Sequence, residues 1–116
     1  MTLDEVRALA LALPEATEAP HFDMTSWRVR GKLFATAPPA GDRLHVFVGE
    51  DEVRASVAED PGAFEELWWG KRLSGLRVNL AAADPRRVQE LLAEAWLRKA
   101  PKKLAADYER PDEGGH

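Results

Sequence analysis

The chain contains no cysteine, so disulfides and thiolate metal sites are excluded, and a reducing compartment suits it. Histidine is scarce as well: His21, His45 and His116 are too scattered for a local metal-binding motif. No apolar run approaches the roughly 20 residues of a membrane helix. The first residues read as a capped helix where a signal peptide would show a basic and then an apolar segment. The expectation is a cytoplasmic protein with no membrane partner. Also absent are a Walker loop, a dinucleotide fingerprint, a nucleophile elbow and a metal-helix motif. His21 and Asp23 stand close in sequence, but nothing near them supplies a nucleophile or a third orienting group. The reading is of a protein without a catalytic site or cofactor.

What is present suits one folded unit. With 116 residues the chain is long enough to bury about two-thirds of the surface its unfolded form exposes. Residues 1–108 are read as a single domain and 109–116 as a disordered tail. The net charge of −4 is unevenly spread: residues 1–63 carry −5, residues 64–110 carry +3 and the remainder −2. This charge argues mildly against a dedicated nucleic-acid binder, while the basic C-terminal half fits either a local anion-binding face or ordinary solvated surface.

The stretch from Gly75 to Lys99 organises the rest. Leu76 to Leu80 reads as a strand. Asp84 is a good N-cap, and Pro85 at the first helical position gives up an amide that would lack a partner. Val88, Leu91, Leu92, Ala95 and Trp96 then recur at helical spacing on one face. Arg98 and Lys99 lie at the negative end of the helix dipole, and Ala100, before Pro101, ends the helix. Lys102 to Tyr108 is read as further helical turns.

At the other end, Thr2-Leu3-Asp4-Glu5 is a capping box that starts a helix ending before Pro14. Glu15 to Asp23 shows no sustained period and reads as a surface connection. Thr25 to Arg30 alternates like a half-buried strand. Gly31-Lys32 reads as a type II′ turn, and Leu33 to Ala37 returns with Val29 opposite Phe34, Trp27 opposite Thr36, Arg28 opposite Ala35 and Arg30 opposite Leu33. Arg43 to Val48 is expected as a more central strand with apolar residues on both faces, and Asp51 to Ala58 as a short helix. Phe64 to Trp69 reads as a strand followed by a glycine-bounded loop, Gly70 to Gly75. The expected architecture is α+β, a two-layer α-β(3)-α-β(2)-α order with an antiparallel sheet and helices on one face.

Two clusters carry the functional reading. Arg28, Arg30 and Lys32 form a basic edge on the first hairpin, which is either a phosphate-contacting wing or an ordinary wet face. Trp68-Trp69-Gly70-Lys71-Arg72 places two indoles on opposite faces of a strand, so one enters the core and Trp69 is left beside two cations. Base stacking, a protein partner or a small-molecule pocket would each explain an exposed indole; so would packing of Trp69 beneath the C-terminal segment. Lys99, Lys102 and Lys103 extend a basic face or simply complement the helix dipole.

Leu13-Pro14, Glu18 and His21-Phe22, followed by Trp27-Arg28-Val29-Arg30-Gly31-Lys32-Leu33-Phe34-Ala35, resemble the MmcQ/YjbR family and its hairpin motif. The Trp69-Gly70 pair and the closing Ala95-Trp96 with Pro101-Lys102-Lys103-Leu104 fit the same pattern. The resemblance implies a fold similar to that of secretion chaperones. It also implies DNA binding by likeness to a double-wing domain. On that basis weak, non-sequence-specific DNA binding falls to Arg28, Arg30, Lys32, Lys71 and Arg72 for phosphate and Trp69 for stacking. The alternative is a protein-interaction or small-ligand module whose contact is marked by Trp69. The oligomeric state cannot be read from the residues.

Overall fold

The computed structural model describes residues 1–108; the tail expected at 109–116 lies outside the described residues. Helix α1 spans Leu3–Leu11, β1 Ala16–His21, β2 Met24–Val29, β3 Lys32–Ala37, β4 Arg43–Val46 and α2 Glu50–Glu59. They are followed by β5 Phe64–Trp69, β6 Arg72–Asn79, α3 Pro85–Lys99 and α4 Lys102–Ala106. The six strands form one antiparallel sheet in the order β1-β2-β3-β4-β6-β5, with the helices packed on one side. The architecture is the α+β one expected.

The caps behave as their residue types dictate. Thr2 Oγ1 accepts from the Glu5 amide at 3.2 Å while Glu5 Oε1 accepts from the Thr2 amide at 2.9 Å. Asp84 accepts from the Arg86 amide, and Ala100 leaves the helix with ψ 147°. On α3, Val88, Leu91, Leu92, Ala95 and Trp96 are all buried. They meet Trp27, Val29, Phe34 and Leu44 of the sheet and Val6 and Ala10 of α1 in one core. Trp96 also donates from Nε1 to the Pro14 carbonyl at 3.0 Å and packs its ring 4.9 Å from Tyr108. Among the described residues it is this indole, and not Trp69, that receives the C-terminal segment.

Several local expectations are corrected. The supposed connection Glu15 to Asp23 contains β1, paired with β2 from Ala16↔Val29 to His21↔Met24. As an edge strand it keeps Thr17, Glu18 and Pro20 exposed, so its apolar alternation is diluted. Glu18 is nevertheless spent inside the fold, accepting from Trp27 Nε1 at 2.9 Å and from Arg7 Nε at 2.8 Å. The β2–β3 hairpin turns through Arg30-Gly31, with φ of 50° and 79°, one residue earlier than read. Two successive positive φ angles match the strand twist as a type I′ turn does. The pairs are therefore Val29↔Lys32, Arg28↔Leu33, Trp27↔Ala35 and Ser26↔Thr36, with Phe34 taken up by a bulge. The loop Gly70 to Gly75 shrinks to the turn Gly70-Lys71, and β6 begins at Arg72. Beyond the register shift at Leu67/Trp68 the two-face alternation lapses, and Trp68 and Trp69 are both exposed, at 46% and 57%.

The face of the sheet away from the helices is polar across β2, β3, β4 and β6. β4 itself alternates, burying Leu44 and Val46 while Arg43 and His45 stay half-buried, in place of the two apolar faces expected. Ser26, Thr36, His45 and Arg77 lie in line across the sheet. Arg77 Nε donates to His45 Nε2 at 3.4 Å, and Thr36 Oγ1 is 3.4 Å from His45 Nδ1. Burial, followed by the charge of Arg77, lowers the His45 pKa from 6.5. The unfolded chain thus takes up a proton before the folded one does, and stability is complete above the ordinary imidazole value. Urea midpoints are expected to fall as pH drops below about 6.5 towards the depressed folded value, and His45→Gln is expected to flatten that slope. An unchanged slope in the variant would assign the proton uptake elsewhere.

Candidate functional site

Three sequence-distant segments meet at one end of the sheet. The β2–β3 turn delivers Lys32, the β5–β6 turn delivers Trp69 and Arg72, and the last turn of α3 delivers Arg98 and Lys99. Together with Phe47 they line a cleft of about 410 Å³. The start of α2, at Gly49 and Glu50, closes one side. Arg87 holds that helix to α3, donating to Glu52 Oε1 at 2.9 Å and Ser56 Oγ at 2.8 Å.

The cleft is rich in unneutralised positive charge. Among the described residues, none of Lys32, Arg72, Arg98 and Lys99 lies within ion-pair distance of a carboxylate. Glu50, the acid on the cleft wall, is engaged by Arg54 at 2.8 Å. Burial lowers the pKa of Lys99, and the charges of Arg98, Arg72 and Lys32 lower it further. Each of the three is therefore close enough to repel the Lys99 ammonium, and an anion seated among them would relieve that repulsion. Arg98 is aimed by a 2.6 Å hydrogen bond from NH1 to the Phe47 carbonyl. The Phe47 ring in turn supports Trp69, with centroids 5.4 Å apart, so the exposed indole has a fixed backing. Cations beside a braced aromatic face can hold phosphate or carboxylate oxygens while a flat ring stacks.

Of the six residues singled out in the sequence, Lys32, Trp69 and Arg72 come together here. Lys71 occupies the adjacent turn and does not line the cleft. Arg30 is held by Glu15 through Nε and, at 3.0 Å, through NH2. Arg28 lies on the polar face, donating to the Gly31 carbonyl at 3.4 Å and contacting His21 Nδ1 at 3.2 Å. The basic edge of the hairpin is thus divided among three surroundings. Arg98, Lys99 and Phe47 complete the site. The two cations were legible as helix-terminal charges, whereas their convergence with Lys32 and Arg72 depends on which strand end meets the end of α3. Lys102 and Lys103, on α4, are exposed and stand outside the cleft. Among the described residues no cluster of His, Asp or Glu is fit to hold a metal ion, and no helix is long and apolar enough to cross a membrane.

The comparisons agree with this fold. The YjbR family model matches residues 11–98. The uncharacterized protein Mb2600 of Mycobacterium bovis is 33% identical to this chain, covering 92% of it and 95% of the relative. The uncharacterized protein Rv2570 of Mycobacterium tuberculosis matches to the same extent. Among solved structures, Deinococcus radiodurans protein DR2400, described by the domain DUF419, superposes with a TM-score of 0.74 at 19% identity. That match covers 84% of this chain and 77% of the neighbour. The chain belongs to the YjbR family.

Proposed function

We propose that this protein is a cytoplasmic binding module for nucleotide units, holding phosphate oxygens among Lys32, Arg72, Arg98 and Lys99 and stacking a base on Trp69. The carrying observation is that, among the described residues, none of these four cations has a carboxylate partner, although all line one cleft beside an indole that is more than half exposed. Guanidinium groups recognise phosphate in a fork and ammonium groups act as point charges, so a mixed set suits an anion of several oxygens. The reading assigns no catalytic residue. Nucleotide units come as free nucleotides or as single-stranded nucleic acid, which shares the same phosphate and base chemistry. This narrows the wing reading to the part of it that converges, with Arg28 and Arg30 outside.

The test is anisotropy of a fluorescent adenosine triphosphate and of a labelled single-stranded oligonucleotide, each at about 50 and about 200 mM salt. Saturable binding with Kd of about 10–100 μM is expected, in the range of non-specific phosphate recognition. Arg72→Glu/Lys99→Glu is expected to abolish it and Arg28→Ala to leave it intact. Oligonucleotide binding that falls steeply with salt identifies nucleic acid as the source; binding of the free nucleotide alone identifies a small ligand. If neither probe binds at the lower salt, the proposal is wrong and the Trp69 surface becomes a candidate protein contact.

A further inference from the structure

We infer that Lys99 is a covalent modification site, an amine that acyl phosphates acylate within the cleft, and that this acylation weakens anion binding there. The inference rests on the anion-site reading above and adds chemistry to it. An acyl phosphate has two parts that the cleft treats differently. Its phosphate suits Arg72, Arg98 and Lys32, and its carbonyl carbon is then carried to the amine that shares the same 410 Å³ space.

The placement of Lys99 makes it the nucleophile. It is half-buried in the last turn of α3, whereas Lys32, Lys102 and Lys103 are exposed. It has no carboxylate partner among the described residues to hold it as an ammonium ion. Burial and three neighbouring cations favour its free base, the form that carries the lone pair. In the step itself, that pair attacks the acyl carbon and an N–C bond forms. The C–O bond to phosphate breaks, and phosphate leaves with the bonding electrons while the nitrogen loses a proton to solvent. The product is a neutral amide where one of four clustered charges stood. Acyl phosphates are themselves anions, so the cluster that attracts the reagent is depleted by it, and the reaction limits itself.

The experiment incubates the intact protein with acetyl phosphate in mildly alkaline, low-salt buffer and follows each lysine by peptide mass spectrometry at early times. Lys102 and Lys103 serve as internal references outside the cleft. Lys99 is expected to acetylate about tenfold faster than either, because the seated reagent places its acyl carbon beside this amine and not beside those outside the cleft. Arg72→Gln, or inorganic phosphate at tens of millimolar, is expected to erase that advantage by denying the reagent its seat. Separately, Lys99→Gln is expected to weaken nucleotide binding about tenfold through loss of one charge-assisted contact. A Lys99 rate no faster than those of Lys102 and Lys103 would overturn the inference. If the fluorescent nucleotide still binds in that case, this inference fails alone; if it does not, the anion-site reading falls with it.

Discussion

Gly75→Ala is expected to destabilise the protein by about 3 kcal/mol, visible as a large drop in urea midpoint or as failure to accumulate folded chain. Gly75 lies inside β6, opposite Leu67 of β5. A β-carbon there would overlap the carbonyl oxygen of Val46 and approach the Phe47 Cα to 3.1 Å. Both obstacles are backbone, so no rotamer change clears them, and β4 and β6 would have to part where their ladder ends at Val46↔Leu76. Gly62→Ala makes a useful contrast. Its nearest neighbour would be a carboxylate oxygen of Asp60 at 3.6 Å, and a change within about 0.5 kcal/mol is expected. Native-like stability of the Gly75 variant would show that the two strands do not approach as described. The same displacement would move Phe47, the backing of Trp69, so any folded fraction should also bind ligand poorly.

Trp96→Ala is expected to cost about 4 kcal/mol. The indole is completely buried, links α3 to the segment after α1 through the Pro14 carbonyl, and packs against Tyr108. Trp96→Phe separates the two roles. It keeps most of the apolar volume but strips the Pro14 carbonyl of its donor, for an expected loss of about 1–3 kcal/mol. Trp69→Ala should do the opposite of Trp96→Ala, shifting stability by no more than about 0.5 kcal/mol while removing the stacking surface for a base. Equilibrium urea unfolding of the three variants, followed by circular dichroism, checks the order. Equal losses for Trp69 and Trp96 would mean that the cleft indole is structural.

Much of this fold could be read from residue types in order. The capping box at Thr2, the Asp84-Pro85 start of α3 and its buried stripe are local signals, and each is satisfied by atoms a few residues away. What local signals do not carry depends on partners distant in sequence. β1 carries no clean alternation because an edge strand has fewer neighbours to demand one; Glu18 is acceptable in it only because Trp27 and Arg7 donate to it. The hairpin shift has a different cause. A glycine at position 31 fits either the first or the second place of a two-residue turn, and the choice is settled by Arg30 adopting φ 50° with Glu15 pairing its side chain. At the site, Lys32, Trp69 and Arg72 stood out for composition alone, as did Arg28 and Arg30. Only strand order separates the residues that converge from those that do not.

The cleft draws its walls from the β2–β3 hairpin, the β5–β6 turn and the end of α3, and no one of these can form it alone. It therefore exists only when the sheet and α3 are folded against each other. A ligand seated there is linked to global unfolding: at a hundred times its Kd it would add about 2.7 kcal/mol to the stability of the native state. Occupancy of this small site would thereby suppress the global openings that expose elements lining no part of it to proteases and aggregation, while leaving local fraying of the β1 edge unchanged.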